Sequence, residues 1–333
     1  MESFGEERLK TVLTTRIAWR FVFIAVFLSL GPGLCKAKDS GWIEVSSRHF
    51  AVITDAGEKK GRATALQFEQ IRTFFEQSLA VAAQRSIPHV TIFAVKNEDA
   101  MRELLPEYFA GGFFSSGHVH PAGVFFHHED SYFAVVELDT QRSGHFETLY
   151  HEYYHALTEP IFPDLPVWLS EGLAEFYGRT QITDEYALVG EPDRDLLDLL
   201  KHDRLIPLDV LFSVNRGSPY YNETQKASMF YAESWLLTHY LMIGNPDSHQ
   251  LLVQYLKALG EGKSARESVA AFGNLKQLQS ALSSYALQKK FLSVKTPVPK
   301  IQVDAISARA LSEPETKQYF GALAAARSVQ PPH

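Results

Sequence analysis

Two histidines four residues apart, with a glutamate directly after the first, stand at His151-Glu152-Tyr153-Tyr154-His155. These are residue types and a spacing that can hold one metal ion from one helix. At 3.6 residues per turn the imidazoles of His151 and His155 lie one above the other on the same side, close enough to share an ion. Glu152 is turned about 100° from His151, so it stays outside the ligand set and can reach a metal-bound water as general base. The pattern separates ligand from base, which is what water-activating hydrolysis asks for.

Zinc in hydrolases takes three protein ligands and keeps a fourth position open. A third donor stands sixteen residues after His155, at Glu171. Pro163-Asp164-Leu165-Pro166 introduces a second helix with Pro166 near its first turn. The stretch Trp168-Leu169-Ser170-Glu171-Gly172-Leu173-Ala174-Glu175-Phe176-Tyr177 then runs to a stop at Gly178. Glu171 can complete a set of His151, His155 and Glu171 around Zn2+. Gly172 would let two helices approach closely. Glu175, one turn further on the same face, is placed to bond a ligand histidine or position a tyrosine. Phe146, Leu149, Tyr150, Tyr153 and Leu157 form an apolar stripe opposite the two histidines. The stripe argues for a helix anchored in a core; a solvated polar face with two histidines would carry the same stripe.

The elements around these helices are those of an α+β protein. Short β-rich runs at 43–45 and 50–54 read as an antiparallel pair, followed by a helix at 59–82, a central strand at 89–95 and a helix at 98–109 interrupted by Pro106. A loop at 111–117 leads to two more strands, 122–126 and 132–138, giving a mixed sheet of about five strands with helices against it. After Gly178 the pattern turns helical, at 195–202, 222–243, 249–259, 265–272 and 275–291. Pro297 and Pro299 mark a linker before a weakly helical stretch at 313–327. The expected organisation is 1–37 signal, 38–178 mixed-sheet lobe with the metal-site helices, 179–292 helical lobe, and 293–333 linker and tail.

The two motif helices resemble those of the gluzincin metallopeptidases, and especially the peptidase MA-like bacterial proteins with a zincin-like domain of unknown function. Trp42-Ile43-Glu44-Val45, Ser47 to Phe50, and Phe68-Glu69-Gln70-Ile71-Arg72 are also similar to that family; the likeness extends over roughly 40–290 and is specific at the motif helices. It implies a zincin-like fold, in which a mixed sheet packs on the metal helix and a helical lobe closes the cleft. It makes His151, His155 and Glu171 the zinc ligands and Glu152 the base. The metzincin arrangement, with a third histidine six residues after the second, is absent: Ile161 occupies that place and Thr158 stands where a glycine would be.

In related gluzincins a tyrosine or histidine of the helical lobe meets the developing oxyanion. Tyr231 is the candidate here and His239 a weaker one; the plain alternative for Tyr231 is a core tyrosine among Phe230, Trp235 and Tyr240. The strand at 132–138 lies where zincins place the edge that pairs with an extended peptide, although its apolar character suits an interior strand equally. His118, His120, His127 and His128 form a second histidine cluster with no carboxylate at ligand spacing, better suited to a cleft rim than to a second metal. The expected activity is a zinc peptidase acting on a peptide or protein substrate. A non-catalytic zincin-like scaffold binding a peptide or envelope partner is the rival, although it has no need to keep Glu152.

Of 333 residues, 45% are hydrophobic and 21% charged, enough for a sizeable core, and the net charge of -7 argues against a nucleic-acid partner. Nothing in the sequence points to a particular oligomeric state. Arg16 and Arg20 precede an apolar run at 21–30, the breakers Gly31, Pro32 and Gly33, and the triplet Cys35-Lys36-Ala37. That order reads as a secretory signal peptide cleaved near Ala37, hence an exported, periplasmic or secreted protein. The alternative is an uncleaved anchor, extended back through Ile17, that would tether the chain to the membrane. Cys35 is the single cysteine, so a mature chain has no thiol ligand or disulfide.

Overall fold

The computed structural model describes residues 39–78, 89–109, 123–128, 131–139, 146–183, 185–192, 194–298, 300–302 and 305–329. The expected signal segment, the loop at 111–117, His118 and His120 lie outside the described residues. No helix among the described residues is long and apolar enough to cross a membrane.

β1 (Asp39–Ser46) and β2 (Phe50–Thr54) form the expected antiparallel pair, with Val45 opposite Val52. After α1 (Glu58–Ser78), β3 (Val90–Val95) lies parallel to β2. α2 (Glu98–Leu104) is capped by the Asn97 side chain and ends ahead of Pro106, which opens a single 3-10 turn because a proline cannot donate in an α-helix interior. β4 (Gly123–His128) and β5 (Ser131–Glu137) pair antiparallel, and β5 continues the parallel run beside β3. The strand expected at an edge, 132–138, is thus interior, and β4 holds the edge. Phe133, Ala134, Val135 and Val136 are all buried, as a strand covered on both faces requires.

α3 (Glu147–Thr158) and α4 (Val167–Gly178) carry the two motifs. β6 (Gln181–Ile182) and β7 (Tyr186–Val189) follow, then α5 (Arg194–His202) and the short α6 (Leu208–Leu211) and α7 (Pro219–Asn222). α8 (Thr224–His239) runs into a π-turn, and α9 (Pro246–Gly260), α10 (Ala265–Ser268) and α11 (Leu275–Ala286) complete the helical part. The phenyl and tyrosyl rings of α1 and α3 form one core with α4, α8, α9 and α11: Phe68 packs edge-on to Phe146 and Tyr150, and Phe75 against Tyr153 and Tyr154. The expected sheet part and helical part therefore share a single apolar interior, which fixes the cleft between them.

The segment expected to be linker and tail returns to the body. β8 (Val294–Pro297) closes a small sheet in the order β6-β7-β8. β9 (Ser307–Ser312) adds a sixth strand beside β1, giving the order β4-β5-β3-β2-β1-β9. α12 (Glu313–Val329) then lays Phe320, Leu323 and Ala326 over Trp42, Phe93 and Phe126 on the sheet face away from the motif helices. Without it that face would expose a row of apolar side chains, and the burial of about 25 cal/mol per Å2 is what draws the segment back.

From Phe230 onward α8 is buried nearly all round: Phe230, Glu233, Ser234, Trp235, Leu236, Leu237, Thr238 and His239 have no more than trace exposure. Glu233 accepts a hydrogen bond from the Ile206 backbone N–H at 2.6 Å, fixing the turn ahead of α6. Burial pushes its carboxyl pKa up to about 8, against the smaller opposing effects of the Ile206 N–H and the nearby Gln279 side chain. Because the folded-state pKa lies above the unfolded one, this group's contribution to stability is full at acid pH and is lost as pH rises through about 8. In urea unfolding between pH 5 and 9, the wild-type chain is expected to lose on the order of a few kcal/mol from this group, and Glu233→Gln to lose markedly less. Parallel pH profiles for the two proteins would contradict that assignment.

Candidate metal centre

α3 presents its apolar stripe, Leu149, Tyr150, Tyr153 and Leu157, to the core and turns His151, Glu152 and His155 toward the cleft, where they are only partly exposed. The stripe is held from below by the ring contacts to α1 and by Arg72, whose guanidinium donates to the Tyr153 hydroxyl at 2.9 Å. α4 packs against α3 and brings Glu171 under the two imidazoles. Gly178 sits where α4 meets α3: a Cβ there would stand 3.1 Å from the Cβ and backbone N of His151.

Three donor atoms converge. His155 Nε2 lies 3.2 Å from His151 Nε2 and 3.1 Å from Glu171 Oε2, and His151 Nε2 lies 3.2 Å from the same carboxylate oxygen. Among the described residues this is the one group of three histidine, cysteine or carboxylate donors close enough to hold an ion. Donors bound to tetrahedral zinc stand about 3.3 Å from one another at the usual bond lengths, so the observed triangle fits that ion closely. The far nitrogens of both rings are engaged elsewhere. His151 Nδ1 is 3.3 Å from Glu175 Oε1, and His155 Nδ1 is 3.4 Å from Ser170 Oγ. Such partners fix the ring orientation and leave Nε2 facing the common point.

The charge around that point is negative. Burial disfavours a charged His151, yet the Glu171 and Glu175 carboxylates outweigh it and hold the imidazole pKa well above its ordinary value. Burial likewise opposes ionisation of Glu171, and the two histidines overcome it, keeping the carboxyl well below the usual range although the residue is only 4% exposed. Glu175 follows the same pattern with a pKa near 2: its burial is outweighed by His151 and by Arg179. Arg179 holds Glu175 Oε2 at 2.8 Å and Glu147 Oε2 at 3.0 Å. A site this rich in ionised carboxylate favours a positive charge at its centre.

Glu152 and Tyr231 both line the cleft beside His151, in a cavity that also touches Thr148 and Arg179. The Tyr231 ring stands 6.3 Å from that of His151. Burial, followed by the nearby Glu171 charge, raises the Tyr231 pKa strongly, so its hydroxyl remains a proton donor. His239 does not join this group. It is fully buried, bonded through Nδ1 to the Tyr285 hydroxyl at 2.7 Å and through Nε2 to the Leu292 carbonyl at 2.9 Å, because the helical turn that exposes Tyr231 carries position 239 into the core. His127 lies on β4 and stacks on Tyr132 at 4.6 Å, on the solvent side.

Gly172 lies at a close approach of two helices, and its neighbour there is α8. A Cβ at this position would stand 2.2 Å from Thr238 Oγ1 and 2.4 Å from the Ser234 carbonyl, so the glycine lets α4 approach α8. Since a backbone carbonyl cannot rotate away, Gly172→Ala is expected to force the helices apart and lower unfolding free energy by about 1–3 kcal/mol or more. Chemical denaturation of both proteins at one pH checks it; equal midpoints would show that the seam yields without strain.

Three residues of the site were not singled out from the sequence. Ser170 stands inside the motif stretch but gives no periodic signal of its own. Arg179 follows the helix stop and could have been read as a partner for Glu175 four residues earlier. Tyr221, which donates to Glu171 Oε1 at 3.0 Å, comes from a four-residue helix fifty residues away. No local pattern marks it.

The fold and site together define an α+β protein with a three-donor candidate metal centre at the junction of its sheet and helical parts. No protein-family model matches the chain, and no curated protein matches it.

Proposed function

We propose that this chain is a zinc-dependent hydrolase of zincin-like fold, most simply a peptidase. The observation that carries the proposal is the convergence of His151 Nε2, His155 Nε2 and Glu171 Oε2 at 3.1 to 3.2 Å, with Glu152 on the cleft wall beside them. A zinc ion held there would supply Lewis acidity, polarising a carbonyl and making water a nucleophile near neutral pH. Glu152 takes the proton of the attacking water and passes it to the leaving amine. Tyr231, on the cleft wall beside His151, offers its hydroxyl to the oxygen on which charge develops, and so stabilises the transition state more than the ground state. Glu175 and Ser170 keep the two imidazoles in the orientation this requires.

The edge position of β4, against which α3 packs, supports a peptide as substrate. Among the described residues β4 has a strand on one side only, so an extended peptide can add to its outer side through main-chain hydrogen bonds. The test is cleavage of a peptide library by the purified, zinc-loaded protein. Hydrolysis should stop on chelation and return when zinc is restored. Protein that carries stoichiometric zinc and cleaves no member of the library would overturn the peptidase assignment and favour a binding scaffold.

A further inference from the structure

The Glu171 carboxylate has two oxygens, and they have different neighbours. Oε2 faces His151 and His155, whereas Oε1 accepts a hydrogen bond from the Tyr221 hydroxyl at 3.0 Å. With Glu171 only 4% exposed, water has little access to replace that donor. The Tyr221 ring lies beside that of Tyr231 on the cleft wall, 6.1 Å between centroids.

The backbone holding Tyr221 is tied down by its own side chains. Ser218 Oγ accepts from the Asn215 N–H at 3.0 Å, Asn215 Oδ1 from the Gly217 N–H at 2.9 Å, and Asn222 Nδ2 donates to the carbonyls of Arg216 at 2.8 Å and Ser218 at 3.0 Å. The ring packs 6.2 Å from Phe230 and 6.1 Å from Tyr231 on α8. The hydroxyl is thus delivered to Glu171 by a braced turn on one side and the central helix on the other.

We propose that Tyr221 is a positioning residue that, by donating to Glu171 Oε1, leaves Oε2 as the single carboxylate atom offered to the metal and sets the coordination number of the site. This rests on the zinc assignment made above. A carboxylate free to rotate would offer either oxygen or both, and its ordering would then oppose ion binding. Pinned by Tyr221 it is pre-organised, and a coordination position is kept for water.

Tyr221→Phe removes the hydroxyl and keeps the ring. Zinc affinity is measured by chelator competition on the full chain, and the visible spectrum is recorded on protein loaded with Co2+, whose d–d bands report coordination geometry. Zinc Kd is expected to rise about 10–100-fold in the variant. The Co2+ bands should weaken as Oε1 joins the ion, with the far-UV circular dichroism of the metal-free protein unchanged. Tyr220→Phe, one residue away, should alter neither readout.

An unchanged Kd together with an unchanged Co2+ spectrum in Tyr221→Phe would overturn the proposal. So would loss of affinity in a variant whose metal-free protein has lost its helical far-UV circular dichroism, since that is a structural defect. Wild-type protein that binds neither ion would remove the zinc assignment itself, and this proposal with it, so the two failures are told apart by the wild-type arm.

Discussion

Wild-type protein is expected to carry about one zinc per chain, and His155→Ala none after dialysis. His155 makes the shortest contact of the triangle, 3.1 Å to Glu171 Oε2, and stands 3.2 Å from His151 Nε2. Without it a single imidazole and one carboxylate oxygen remain, too few to hold zinc against solvent in a site that has no thiolate. The same substitution should leave the fold standing, because the His155 side chain is 13% exposed and faces the cleft, whereas the core face of α3 is made by Tyr150, Tyr153 and Leu157. Metal analysis with far-UV circular dichroism on the same sample decides the matter. Stoichiometric zinc surviving in a folded His155→Ala protein would place any metal elsewhere.

The second large effect separates chemistry from metal holding. Glu152→Gln should keep both zinc and fold while peptide hydrolysis falls by about 10²–10⁴-fold, the usual worth of a general base. The reason is directional: Glu152 follows His151 by one residue and lines the cleft, while the converging donors are those at 151, 155 and 171. Tyr231→Phe offers the contrast. It removes an oxyanion donor worth about 3 kcal/mol in other hydrolases and leaves zinc polarisation in place, so cleavage should stay measurable. Should Glu152→Gln retain full kcat on a validated peptide, the proposed mechanism fails. Were that variant inert yet sufficient for the protein's cellular role, a binding scaffold would be the better description.

The ion pairs around the site carry a further consequence. Glu175 is held by both His151 and Arg179, and Arg179 also spans to Glu147 on the neighbouring helix. This arrangement ties the end of α4 to the start of α3, so the orientation of His151 depends on the packing of both helices and not on the motif alone.

Much of the site was fixed by local sequence. Any α-helix through 151–155 sets the two imidazoles on one side and Glu152 on another, because the angle per residue is a property of the backbone. The apolar stripe at 149, 150, 153 and 157 dictates which side faces the core, and Glu171 lies on a helix whose start at Pro166 and end at Gly178 are marked by the residues themselves. The antiparallel pair β1 and β2, the central strand β3 and the break at Pro106 were legible for the same reason, since period and breakers act over a few residues.

What the sequence left open depended on contacts between distant segments. β4 and β5 are both apolar runs, and which of them became the edge was decided by β3 pairing with β5. The stretch after Pro299 has a weak helical pattern because it needs only Phe320, Leu323 and Ala326 to cover a sheet face that strands far upstream create. Tyr231 and His239 lie eight residues apart on one helix, and the packing around α8, with Tyr285 and Leu292 claiming His239, sends one to the cleft and the other to the core. Tyr221 reaches Glu171 across fifty residues of chain. A hydrogen bond of that kind has no period and no spacing; it exists only once the helical part has packed against α4 and brought a hydroxyl within 3.0 Å of a carboxylate that burial has deprived of water.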